Sequence, residues 1–253
     1  VQGRERVQMR QYGWYLLILV VLCTSGGRGP GAVNGVGEVA GSEHSRFAEV
    51  APESEIAPRS RQGEELVPEP FRLNSDRFTA KARSVYGHAR IRKCEVMFPS
   101  PVITASDVNN TVHGEYFQPE GKGPFPAVVV LHILGGDFPL SRTVANYLAQ
   151  NGVAALFVKM PYYGPRRDPA IPRRMVAKNP DETVAGMTQA VLDIRRAADW
   201  LATRPEINPD RLGITGISLG GIMSALAGGI DSRFSRVGIV LGGGKLGDAV
   251  WNL

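Results

Sequence analysis

The stretch Gly216-Ile217-Ser218-Leu219-Gly220 sets one serine between two glycines, after an apolar run and before a helix of small residues. That pattern fits the G-x-S-x-G turn by which a chain presents a nucleophilic hydroxyl. The serine backbone is held at a sharp, strained corner, so residues two positions away must lack bulk for the chain to double back. Leu219 then opens the helix, and its amide N–H can point at a developing oxyanion, helped by the helix dipole. The chemistry this serves is nucleophilic attack on an acyl carbon, with Ser218 as the catalytic residue and Gly216 and Gly220 as the glycines of the elbow. The alternative is a serine that only caps a helix.

A second stretch, Leu131-His132-Ile133-Leu134-Gly135-Gly136-Asp137, follows an apolar strand-like run. A turn there can aim a backbone N–H at the same oxyanion; Leu134 is the candidate donor, with Ile133 as the alternative. His132 is read as orienting the loop rather than as a base. No histidine follows Ser218, and all four, His44, His88, His113 and His132, lie upstream of it.

These residues need a scaffold. "ARIRKCEVMF" (89–98) and "TVHGEYFQP" (111–119) read as strands forming an antiparallel hairpin at a sheet edge. "FPAVVVLH" (125–132) and "VAALFVK" (153–159) are apolar runs of the kind buried on both faces of a parallel sheet. A helix is expected over 141–150, capped by Ser141. A longer one is expected over 181–203, where Val184, Met187, Val191, Ile194, Ala198 and Leu201 form an apolar stripe. Strands at 211–217 and 236–243 flank a helix at 219–230. The expected fold class is α/β, a mostly parallel sheet with helices on both faces, incomplete on its C-terminal side.

The tract "DIRRAADWLATRPEINPDRLGITGISLGG" (193–221), with "LHILGG" standing where an H-G-x-x-G oxyanion loop would be, resembles the α/β-hydrolase superfamily. Its dienelactone hydrolase, acetyl xylan esterase and prolyl-oligopeptidase-like branches are the most similar. Ile133 stands where glycine is usual. The resemblance implies a serine hydrolase acting on carboxylic esters, with no metal or organic cofactor. Its order of Ser, then acid, then His places the last two beyond Leu253, so the chain is expected to be a fragment inactive by itself. Asp231 and Asp248, the only aspartates after Ser218, are assigned no role. The loop "PYYGPRR" (161–167) is similar to one near the pocket of such enzymes. It offers Tyr162, Tyr163 and Arg166 as substrate contacts, and Arg166 and Arg167 as receptors for an acidic group or as a solvated loop. A prolyl-oligopeptidase-like peptidase and a non-catalytic binding module are the alternatives.

Composition sets the remaining bounds. With 43% hydrophobic and 21% charged residues, the chain has ordinary globular make-up. The net charge of +5 is dispersed, without the basic stripe of a nucleic-acid binder. Arg10, the short apolar core at 13–23 and the small residues at 24–27 describe a secretory signal, with Met9 as the expected start and cleavage near Ser25. An uncleaved anchor is the alternative, the only membrane association expected. Residues 26–75, rich in Gly, Pro, Ser, Glu and Arg, are expected to be a flexible tether, with the folded domain at 76–253. Cys94 reads as a structural thiol. The expected partner is a small-molecule ester; location is expected to be the periplasm, cell envelope or medium.

Overall fold

Val128, Val129, Val130 and Leu131 lie in one strand, and their alternation decides the architecture. Val129 and Leu131 pack into one apolar cluster, with Trp200, Ile194, Ile214 and Met223; Val130 packs into another, with Ala145, Ala149 and Phe157. A strand apolar on both faces needs cover on both, which is the condition for helices above and below a parallel sheet. The computed structural model describes residues 47, 49–59, 61, 63–88, 90–136 and 138–243.

The elements in chain order are β1 (Glu53–Ile56), β2 (Phe78–His88), β3 (Ile91–Pro99), β4 (Thr111–Pro119), β5 (Phe125–Leu131), α1 (Phe138–Gln150), β6 (Ala154–Lys159), α2 (Pro180–Ala202), β7 (Ile207–Ile217), α3 (Leu219–Ile230) and β8 (Phe234–Val240). They form one sheet in the order β1-β2-β3-β4-β6-β5-β7-β8. The strands from β1 to β4 pair antiparallel, β4 pairs antiparallel with β6, and β6, β5, β7 and β8 run parallel. The chain leaves β5 to one side through α1 and returns to its other side through α2, so the direction of strand addition reverses at β5. Helix α1 covers the sheet on one face, while α2 and α3 pack on each other and on β7.

The sheet therefore has the α/β form that the apolar runs imply, mixed overall, with its parallel part in β6, β5, β7 and β8. Several local expectations are corrected. The β3–β4 pair is antiparallel but interior, because β2 and β1 extend the sheet beyond it. Helix α1 starts at Phe138, so Ser141 is a buried residue inside it rather than its cap. Helix α2 is capped by Asn179, whose side chain accepts from the Asp181 N–H, and Val184 of the expected stripe is 61% exposed.

The largest correction concerns the expected tether and a domain start at 76. Residues 26–46 lie outside the described residues, as does the apolar segment at 13–23. The described residues between 47 and 73, however, form a folded strap. Phe47, Ile56, Val67 and Leu73 are buried, and Glu53–Ile56 pairs with β2. Arg61 donates to Asp199 at 2.6 Å, and Arg195 donates to Glu64 and to the Phe71 carbonyl. Every residue of α2 from Gln189 to Ala202 is buried, four charged side chains among them, and the strap supplies partners for two of these, Arg195 and Asp199. Asp231 and Arg233 complete the cluster, Asp231 accepting from both Arg195 and Arg233. Among the described residues, no helix is long and apolar enough to cross a membrane. Cys94 is buried at 1% exposure.

On the other face, Glu115 of β4 is buried among Lys93, Arg142 and Lys159 at 2.7, 2.7 and 3.3 Å. Burial alone would raise its pKa; hydrogen bonds from Arg142 and Lys93, with the charge of Lys159, outweigh it and bring the carboxyl down to about 2. A carboxylate whose folded pKa lies below its ordinary 4.5 stabilises the fold above pH 4.5, and that contribution fades as pH falls toward 2. Glu115→Gln is expected to cost roughly 3 kcal/mol at pH 7. Urea melts of the variant should lose less stability between pH 5 and pH 2 than those of the parent.

Candidate active site

Parallel pairing puts the ends of β5, β6 and β7 on one rim. Leu131 stands opposite both Val158 and Gly216, so the loops after these three strands leave the sheet side by side. In open α/β sheets this carboxyl rim is where ligands bind.

Ser218 sits where β7 turns into α3, with φ 54° and ψ −114°, in a region that L-residues rarely adopt. Its N–H donates to the Val240 carbonyl at 2.8 Å, and its carbonyl accepts the Ile222 N–H at 3.0 Å, so backbone bonds on both sides fix the corner. The side chain makes no capping hydrogen bond, unlike a serine serving only to start a helix. Ser218 is half-buried. Among the described residues, no side chain hydrogen-bonds its hydroxyl.

The flanking glycines are required by contact. A Cβ on Gly216 would lie 2.4 Å from the Gly220 carbonyl carbon; one on Gly220 would lie 2.6 Å from the Leu131 oxygen and 2.8 Å from the His132 oxygen. The start of α3 is thus pressed against the end of β5 and the loop behind it. Leu219 is the first residue of α3, where an amide has no acceptor within the helix. Leu134, 52% exposed, occupies a turn closed by the Gly136 N–H donating to the Ile133 carbonyl at 3.0 Å. Both sequence stretches accordingly meet at one rim.

His132 is fully buried, its ring 4.6 Å from that of Tyr163 and 5.2 Å from that of Phe138. Nδ1 lies 2.8 Å from the Ile133 carbonyl and so carries the proton, while Nε2 accepts the Met160 N–H at 3.1 Å. Burial lowers the pKa to about 4. A neutral ring with both nitrogens engaged pins the β5 loop to the β6 loop and has no lone pair left for a serine proton.

The β6 loop supplies Tyr162 and Tyr163. Tyr162 has φ 64°, its N–H donating to Asn109 Oδ1 at 3.0 Å. Both tyrosines line a cavity of about 500 Å³ with Leu134, Phe138 and Met175; Ser218 is not among its lining residues. Arg166 is corrected. It is fully buried, paired with Asp193 at 2.8 Å, and donates to the carbonyls of Asn109 and Lys159. It anchors the loop, neither solvated nor turned toward a ligand; its short spacing from the tyrosines gave no sign of a partner on α2. A larger cavity, about 660 Å³, opens among Arg61, Glu64, Pro209 and Asp231. Those residues adjoin the start of β7 and the end of α3, the rim opposite Ser218, so its size does not make it the site of chemistry. Among the described residues, no three His, Cys, Asp or Glu side chains group as metal ligands.

Residues 87–239 match the family described as Alpha/beta hydrolase domain containing 18. The Bacillus subtilis protein YtaP, named as a hydrolase, is 27% identical over 128 residues, 44% of this chain and 42% of its own. Acetyl xylan esterase from Paenibacillus sp. R4 is 27% identical at a TM-score of 0.49, covering 61% of this chain and 51% of that one. Acetyl xylan esterase 1 from Thermoanaerobacterium sp. JW/SL YS485 shares the fold at a TM-score of 0.55 and 16% identity, over 78% and 64% of the two chains. The chain spans about half the length of the first two of these relatives. With the family match extending from the end of β2 to β8, more than half of the sequence, the chain belongs to the family Alpha/beta hydrolase domain containing 18.

Proposed function

We propose that the full-length protein is a serine hydrolase of carboxylic esters, with Ser218 as nucleophile. Ser218 Oγ attacks the ester carbonyl while a histidine takes its proton; the tetrahedral oxyanion accepts hydrogen bonds from the Leu219 and Leu134 amides. Collapse expels the alcohol, protonated by the same histidine, and leaves an acyl-serine. Water, deprotonated in turn, releases the acid and restores the hydroxyl. In this reading the histidine and the acid that orients it are not supplied by residues 1–253. No cofactor takes part, and Tyr162 and Tyr163 border the substrate.

The single observation that carries the reading is Ser218 at φ 54° on the strand–helix corner, between glycines that contact backbone too closely for any side chain. A fluorophosphonate probe is expected to label the full-length protein at Ser218 and to leave Ser218→Ala unlabelled. Equal labelling of the variant rejects the assignment, and absence of labelling in the parent favours a binding module on the same fold. The reading includes export, on the strength of the apolar run at 13–23 behind Arg10.

A further inference from the structure

The loop from Met160 to Asn179 carries five cations: Arg166, Arg167, Arg173, Arg174 and Lys178. The fold sorts them. Arg166 is taken inward by Asp193, and Arg173 pairs with Glu182 at 3.0 Å while lying over the Tyr162 ring. The loop's acid, Asp168, accepts from the Ser106 hydroxyl and the Ala170 N–H and does not face the cavity. Arg167, Arg174 and Lys178 remain, and all three line the 500 Å³ cavity beside the Leu134 turn. No acidic side chain is among its described lining residues, and none of the three cations has an ion-pair partner among the described residues. Arg174 is near enough to Tyr163 for its charge to oppose the upward push that burial gives the phenol.

Three like charges around one concavity repel each other, and a recess with low-dielectric walls focuses their field. We propose that this cavity receives the anionic end of the substrate, so that the enzyme prefers small, water-soluble esters bearing a carboxylate. The inference rests on the ester-hydrolase reading above. A recess of about 500 Å³ is the size that holds one drug-sized molecule. Tyr162, Tyr163 and Phe138 supply apolar walls, and the cations supply orientation.

The test compares matched esters on the full-length protein. One arm sets mono-4-nitrophenyl succinate against 4-nitrophenyl butyrate, placing the carboxylate on the acyl side; the other sets 4-acetoxybenzoate against phenyl acetate, placing it on the alcohol side. In at least one arm the anionic ester should have the higher kcat/KM by tenfold or more. That ratio should shrink toward one at 1 M salt, where screening extends only about 3 Å. It should also shrink toward one in the triple variant Arg167→Gln, Arg174→Gln, Lys178→Gln. Calorimetry on full-length Ser218→Ala reads the same site without turnover: 4-acetoxybenzoate or mono-4-nitrophenyl succinate should bind, and the triple substitution should weaken that binding tenfold or more. Ratios at or below one in both arms, or binding indifferent to the three substitutions, overturn the proposal while Ser218 labelling leaves the hydrolase reading standing. Failure of labelling with retained anion binding overturns the hydrolase reading and, with it, the ester preference, and leaves the cavity an anion site only. Sedimentation with phosphatidylglycerol vesicles through these three cations, with no binding of the small esters, would show a lipid-surface site and overturn it as well.

Discussion

Ser218→Ala in the full-length protein is expected to cut turnover of any ester it hydrolyses by roughly 10⁴–10⁶-fold, the loss that follows removal of a catalytic nucleophile. Under the proposed mechanism the effect falls on kcat, because the substitution removes the attacking atom while the cavity walls and the amides of Leu219 and Leu134 stay in place. Stability should change little: the corner is fixed by backbone bonds to Val240 and Ile222, which alanine retains, and Ser218 Oγ makes no capping bond. Steady-state kinetics with a thermal melt on the same preparation check both halves. A variant active within tenfold of the parent would remove Ser218 from the mechanism.

Gly220→Ala is expected to damage both fold and site. Its Cβ would sit 2.6 Å from the Leu131 carbonyl oxygen and 2.8 Å from that of His132. Neither oxygen can withdraw freely, since Leu131 is paired on both sides in the sheet and His132 is held by Met160 and Ile133. Helix α3 must move instead, taking the Leu219 amide and Ser218 with it. A cost of about 2–4 kcal/mol corresponds to a melting point lower by roughly 5–15 °C, with fluorophosphonate labelling slowed at least 100-fold. Gly229→Ala in the same helix is the control: no atom lies within 4 Å of its new Cβ, so helix propensity alone should leave stability level or slightly raised. Matching melting points for the two variants would mean that the close approach at Gly220 is not a constraint.

What the sequence made legible was local. Runs such as Ala127–Leu131 and Ala154–Lys159 announce buried strands because both faces are apolar, and the elbow is legible because strand, glycine, serine and helix follow without interruption. The strap escaped because its stabilisation is distant. Glu64 meets Arg195 across 131 positions and Arg61 meets Asp199 across 138, pairings that no window of composition contains. The apolar stripe of α2 likewise gives no sign that its charged residues Arg195 and Asp199 are buried by partners so far off in sequence. Arg166 was misread likewise, since Asp193 is 27 positions on and on another element. The three cations of the β6 loop that line the cavity become distinguishable only after Arg166 and Arg173 find their partners.

The burial of α2 beneath residues 47–73 also bears on where this protein can be cut. A recombinant form begun at residue 76, the boundary that composition suggests, would strip the partners from Arg195 and Asp199 and wet a stretch, from Gln189 to Ala202, that is buried along its whole length. An expression boundary, protease nick or fusion joint placed between Phe47 and Leu73 is therefore expected to unfasten the middle of the chain, to which this stretch is stitched like a hem.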